Sequence, residues 1–199
     1  MPRTIDYYFA TISPFVYLGH DPFVAIAQKH GATVAVKPVD FGAVFSASGG
    51  LPLAKRAPQR QAYRLVELRR WAQYLSKPMN IQPQFFPANG NPAAAWILAA
   101  NELGPAQALS LVGAVGRALW EQQRDIADSA TLALIAQESG LPAAALEARA
   151  QAPEIAAKYA ALTRDAIDRG VFGSPTYVVD DELFWGQDRL DFLDRKLAK

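Results

Sequence analysis

The chain has 199 residues, 51% of them hydrophobic, and contains no cysteine. Its 20 basic and 19 acidic residues leave a net charge of +1, so no global field draws nucleic acid or an anionic membrane to it. Without cysteine the protein has no disulfides, thiolate metal sites, iron–sulfur clusters or thiol nucleophile of its own, and only His20 and His30 could contribute imidazole to a metal. No metal is expected. The chemistry must come from hydroxyls, carboxylates, cations, backbone dipoles or a reactive group that a ligand brings. No apolar signal-peptide core precedes Pro14, and the longest apolar stretch, 92–100, is far short of the ~20 residues a membrane helix needs. A cytoplasmic protein with no membrane contact is expected.

Residues 4–9, rich in aromatic and β-branched side chains, read as a first strand. Ser13-Pro14 then starts a helix, with serine as N-cap and proline at a position that needs no N–H. That helix runs toward His30-Gly31, and Asp21-Pro22 predicts a kink or a restarted helix within it. Residues 33–41 read as a second strand, which makes the opening β-α-β with a parallel pair.

Phe45 to Leu53 reads as loop, and the spacing of Tyr63, Val66, Arg70, Trp71 and Tyr74 predicts an amphipathic helix over about 58–76. A proline-punctuated loop covers 77–91. Helices are then predicted over 92–103, 105 to about 124, 129–139, 142–150 and 153–169, most of them opened by proline or a capping residue and closed by glycine. The end returns to β: 176–179 and 182–185 flank Asp180-Asp181 as a hairpin, and Gly186-Gln187-Asp188 opens a last helix with Asp191 in a capping-box-like position. The order βαβ, helical block, ββα describes an α/β protein with a thioredoxin-like βαβ–ββα domain carrying a large all-helical insertion. The expected segments are 1–42 and 171–199 for the thioredoxin-like domain and 43–170 for the insertion.

Two places carry candidate chemistry. Ser13 sits at a helix N-terminus, where unpaired N–H groups and positive potential favour an anion, although a capping role alone is the commoner use of such a serine. Ser174-Pro175, entering a strand, suits a cis bond whose neighbouring backbone pairs with an extended peptide, against the commoner trans state. His30 reads as a helix-dipole partner, and His20 either lines the cleft or sits on the surface of the kinked helix. Seven basic residues between Lys55 and Lys77 face only Glu67, and most of them suit a solvated helix face; so short a run on a neutral protein does not point to nucleic acid.

Tyr7-Tyr8-Phe9 followed by Ser13-Pro14-Phe15-Val16-Tyr17-Leu18 resembles the opening of the 2-hydroxychromene-2-carboxylate isomerases, relatives of kappa-class glutathione transferases in the DsbA-like branch of the thioredoxin superfamily. Phe172-Gly173-Ser174-Pro175-Thr176 and Phe184-Trp185-Gly186-Gln187-Asp188-Arg189-Leu190 resemble two further motifs of that family, in the same order. The resemblance implies a glutathione cofactor. Ser13 would hydrogen-bond its sulfur, Ser174 and cis-Pro175 would pair with its cysteinyl portion, and Gln187 with Asp188 would hold its γ-glutamyl end. It also implies a small aromatic carboxylate as substrate and a homodimer. Lys55 or Arg56 would meet a carboxylate, and Asn89 falls in a segment resembling the family's Pro-Ala-Asn-Tyr, with Gly90 replacing the aromatic residue. The implied reaction is glutathione-dependent isomerisation. Two readings stand beside it: a kappa-type glutathione transferase or peroxidase, and a thioredoxin-like binding module without catalysis.

Overall fold

The computed structural model describes residues 3–199; Met1 and Pro2, at the start of the first expected segment, lie outside the described residues. Strand β1 (Thr4–Phe9) runs parallel to β2 (Thr33–Pro38) in register from Thr4 opposite Thr33 to Phe9 opposite Pro38. Helix α1 (Pro14–Lys29) connects them. Strand β3 (Thr176–Val179) returns antiparallel to β1, and β4 (Glu182–Trp185) pairs with β3, giving the order β2-β1-β3-β4. Asp180 and Asp181 make the hairpin turn at φ 50° and 61°, the left-handed geometry that a two-residue hairpin favours. This is the thioredoxin-like arrangement with a helical insertion between its halves.

The chain just after β2 differs from expectation. Helix α2 (Phe41–Ser48) occupies residues predicted as loop from Phe45 onward, and β2 stops at Pro38 rather than Phe41. The reason is local. The Asp40 carboxylate accepts the Gly42 N–H at 2.8 Å, Phe41 and Val44 are buried, and Gly49 closes the helix at φ +77°. Ser46 and Ser48 do not break it, because each hydroxyl donates to the carbonyl four residues earlier, at 2.9 and 2.8 Å.

Helices α3 (Pro58–Tyr74), α4 (Asn91–Asn101), α5 (Pro105–Trp120), α6 (Ser129–Glu138), α7 (Ala143–Ala150) and α8 (Pro153–Asp168) follow, with α5 ending short of Arg124. The face of α3 also differs from expectation. Tyr63, Val66 and Tyr74 are exposed, whereas Leu68 is fully buried and Trp71, Ala72 and Leu75 pack on the core. Helix α9 (Leu190–Leu197) is preceded by a 3-10 turn at Gln187–Arg189, so Asp188 does not cap it: the Asp188 carboxylate meets Arg189 at 2.6 Å instead. Among the described residues, no helix is long and apolar enough to cross a membrane.

Pro22 lies inside an unbroken α1 rather than restarting it. His20 is buried instead of lining a cleft or facing solvent. It packs so tightly against α5 that a Cβ on Gly113 would stand 3.0 Å from the imidazole. Burial pushes the pKa of His20 down to about 4, which keeps the ring neutral. His30 pairs with Asp194 at 2.6 Å, tying the end of α1 to α9.

One sheet face carries Ile5, Tyr7, Phe9, Val34, Val36 and Tyr177 into a continuous core with α1, α4 and α5. Tyr7 lies 4.5 Å from Phe9, 4.6 Å from Phe23 and 5.3 Å from Tyr177 between ring centres, distances at which aromatic pairs add to simple burial. The opposite face carries Tyr8 and Val178 against Phe41, Val44 and Ala166. There Asp165 of α8 accepts from the Tyr8 hydroxyl (2.6 Å) and Lys37 (2.9 Å) and pairs with Arg169 (3.2 Å), while Lys37 also reaches Asp6 at 3.0 Å.

Desolvation opposes the charge of Asp165, but the bonds from Tyr8 and Lys37 and the fields of Lys37 and Arg169 outweigh it and hold the carboxyl below its usual range. A depressed folded pKa stabilises the fold above the unfolded value of about 4, and that contribution is lost as pH falls through the folded value. Asp165→Asn should therefore lower the free energy of urea unfolding by about 1 kcal/mol at pH 7, allowing for its partial exposure. The gap from wild type should close on acidification toward roughly pH 3. A gap that does not change with pH would contradict this account of Asp165.

Candidate functional site

Ser13 is the N-cap of α1, in extended conformation at φ −74° and ψ 124°. Its Oγ accepts the Val16 N–H at 3.4 Å and donates to the Ser174 carbonyl at 3.5 Å. Both contacts are long, so the hydroxyl is only weakly engaged at a helix end whose first-turn N–H groups face outward without intrahelical partners. Ser174 lies in the loop before β3, and the Ser174–Pro175 bond is cis, as is Phe86–Pro87. The Ser174 side chain accepts the Ala10 N–H at 2.9 Å, which pins this loop to the chain just after β1. Thr176 Oγ1 donates to the Gly173 carbonyl at 2.7 Å and shapes the same turn.

The hairpin then delivers the third motif. Thr176 pairs with Trp185, and the Gly186 N–H donates to the Pro175 carbonyl at 2.9 Å, so Gln187 and Asp188 follow directly beside the proline loop. Gln187 is buried against α1: a Cβ on Gly19 would stand 2.5 Å from the Gln187 Cβ. Glycine is needed at 19 for this close approach. Asp188 is exposed, with Arg189 as its partner. Ser13, Ser174, Pro175 and Gln187 thus converge on the α1 N-terminal end and its flank from opposite ends of the chain.

The residues expected on the substrate side are placed unevenly. Asn89 is exposed, and its side-chain oxygen accepts the Asn91 N–H at 3.1 Å in the turn that opens α4. The adjoining Gly90 does reach the site, since its carbonyl accepts from Thr11 Oγ1 at 2.9 Å. Lys55 is exposed on a 3-10 turn, and no described contact joins it to Ser13. Arg56 donates to the Leu51 carbonyl at 2.8 Å and lies over the Phe45 ring.

Sequence reasoning missed Thr11, which anchors the Gly90 turn, and Arg64, a half-buried guanidinium over the rings of Phe86 and Trp120. Burial, with Arg56 nearby, pushes the pKa of Arg64 down to about 10. The available signal was Arg64's place one turn before Leu68, on the stripe that Trp71, Ala72 and Leu75 continue.

Fold and site together define a DSBA-like thioredoxin protein, and the profile of the DSBA-like thioredoxin domain matches residues 4–198. The chain is 33% identical over 198 residues to a 2-hydroxychromene-2-carboxylate isomerase of Sphingobium xenophagum, covering 99% of each chain. A protein of the same name from Pseudomonas putida is 31% identical over 196 residues, 98% of this chain and 94% of the relative. A solved 2-hydroxychromene-2-carboxylate isomerase structure superposes with a TM-score of 0.81 at 30% identity, covering 98% of this chain and 94% of that one. The chain belongs to the 2-hydroxychromene-2-carboxylate isomerase family.

The structure gives a physical reason for glycine at position 90. A Cβ at this position would lie 2.4 Å from Thr11 Oγ1 and 3.1 Å from Ile12 Cγ2. Gly90→Ala should lower stability by about 1–3 kcal/mol through that collision, read from the urea midpoint. An unchanged midpoint would mean that the turn is not held against Thr11.

Proposed function

We propose that the protein is a glutathione-dependent isomerase of an aromatic carboxylate, converting 2-hydroxychromene-2-carboxylate and trans-o-hydroxybenzylidenepyruvate into one another. The observation that carries this reading is a weakly bonded serine hydroxyl at the α1 N-terminus, where disulfide-exchanging members of the fold have a cysteine, in a chain with no cysteine at all. The relatives' names supply the substrate class.

The residues present fit glutathione. Among the described residues the Ser174 N–H has no hydrogen-bond partner, and its carbonyl has only the long contact from Ser13, which suits pairing with an extended peptide. Among the described residues the buried Gln187 side chain makes no hydrogen bond, which suits the γ-glutamyl end. Asp188 is exposed and, among the described residues, pairs only with Arg189, a contact it would exchange for the ammonium. Ser13 donates its O–H to the sulfur, and the α1 dipole favours the anion there.

Bound glutathione supplies a thiolate nucleophile whose reversible addition frees a conjugated double bond to rotate and which returns unchanged. The protein's part is to keep the sulfur deprotonated and to orient the substrate against it. Neither task needs a redox step.

Turnover of the chromene carboxylate, followed with and without glutathione, tests the reading. Conversion should require glutathione and leave its concentration constant. An equal rate without it would overturn the cofactor, and stoichiometric consumption would indicate a transferase. Ser13→Ala should lower kcat about 100-fold at saturating glutathione, the scale for losing one donor to a developing anion. An unchanged kcat would remove Ser13 from the chemistry.

A further inference from the structure

Arg64 is a cation on the core-facing stripe of α3, a position that ordinarily takes an apolar side chain. Its guanidinium carbon lies 5.1 Å from the centre of the Phe86 ring and 5.9 Å from that of Trp120, within cation–π range of both. Among the described residues it has no ion-pair partner and makes no side-chain hydrogen bond. Glu67, one turn along, is taken by Arg70 at 2.9 Å. Arg56 is near enough to add repulsion rather than relief. A half-buried guanidinium without an acceptor is costly, because desolvation is not offset.

A second donor in this cluster is also unsatisfied. Trp120 is fully buried and, among the described residues, its Nε1–H has no acceptor; its ring lies 4.9 Å from Phe86. The Trp120 donor is closed off from solvent, so it is the half-buried Arg64 guanidinium, lacking an acceptor above the Phe86 ring, that describes a place for an anion attached to a planar ring. The cluster is tied to the catalytic corner by chain. Phe86 is four residues before Gly90, at most about 14 Å of extended backbone, and Gly90 is held to Thr11, two residues from Ser13.

We propose that Arg64 is the carboxylate-recognising residue of the substrate subsite, with Phe86 supporting the aromatic ring. The chemistry recognised is a carboxylate on a conjugated aryl group. Its link to turnover rests on the isomerase reading above, whereas its binding does not. Glutathione also carries a carboxylate at its glycyl end, so the test must separate the two sources.

Calorimetric titration of wild type and Arg64→Met with trans-cinnamate, cinnamamide and glutathione does so. Methionine keeps much of the length and apolar stem and removes only the charge and the donors. Cinnamate should bind the variant about 10- to 100-fold more weakly, the range for losing charge-assisted hydrogen bonds, while cinnamamide and glutathione are unaffected. Arg64→Lys should recover part of the cinnamate affinity. Unchanged cinnamate binding in Arg64→Met, or a loss confined to glutathione, would overturn the proposal. If the methionine variant does not fold, wild type alone decides: cinnamate must bind at least about tenfold better than its amide, and equal affinities would overturn the subsite. Failure of glutathione to bind wild type would instead count against the cofactor reading, leaving the cinnamate result to judge Arg64.

Discussion

The antiparallel pairing of β3 with β1 is the constraint on which the site depends. It brings the loop before β3 against the residues after β1, so that Ser13 and Ser174, 161 positions apart, meet at the start of α1. The Ala10 N–H to Ser174 Oγ bond locks that meeting. The next hairpin carries the constraint one step further, since β4 leads directly into Gln187, which packs on Gly19 of α1. Without the pairing there is a helix N-terminus at one end of the chain and a proline loop at the other. With it Ser13, Ser174 and Pro175 stand together at the start of α1, with Gln187 on its flank.

The two faces of the sheet serve this arrangement differently. The Tyr7, Phe9, Phe23 and Tyr177 cluster fills the face under α1 and fixes where its N-terminus emerges. Apolar packing of this kind sets position without competing for hydrogen bonds near the site. The opposite face uses charge, with Asp6, Lys37, Asp165 and Arg169 binding α8 across β1 and β2. Because the last helix of the insertion is clamped there, β3 enters the sheet from a defined direction.

The strands, α1 and the Asp180-Asp181 hairpin were legible in the sequence because each carries its signal within a few residues: alternating bulky side chains, a capping serine before proline, a pair of aspartates. The candidate site came from motif resemblance, and that Ser13, Ser174 and Gln187 lie together is visible only in the fold. The misreadings have the opposite character. Helix α2 was hidden because Ser46 and Ser48 look like loop residues until their hydroxyls are seen bonding back to the helix. Asp188 looked like a cap because the 3-10 turn that sets it before α9 leaves no mark in the sequence, and its carboxylate turns to the adjoining Arg189. On α3 the large aromatics Tyr63 and Tyr74 suggested the buried face, yet the stripe through Leu68 lies elsewhere. Arg64 followed from that error: once the true stripe is known, a cation on it stands out. Only contacts distant in sequence, from Phe86 and Trp120, show that aromatic rings surround it.

The central claim is that the α1 N-terminus and Ser13 replace a redox cysteine by stabilising a thiolate supplied from outside. The direct measurement is the ultraviolet absorbance of the thiolate as enzyme-bound glutathione is titrated with base. The account predicts that the bound thiol loses its proton well below the free value of about 8.5, and that Ser13→Ala raises its pKa back toward that value. A bound thiol that titrates like free glutathione in the wild-type protein would contradict it.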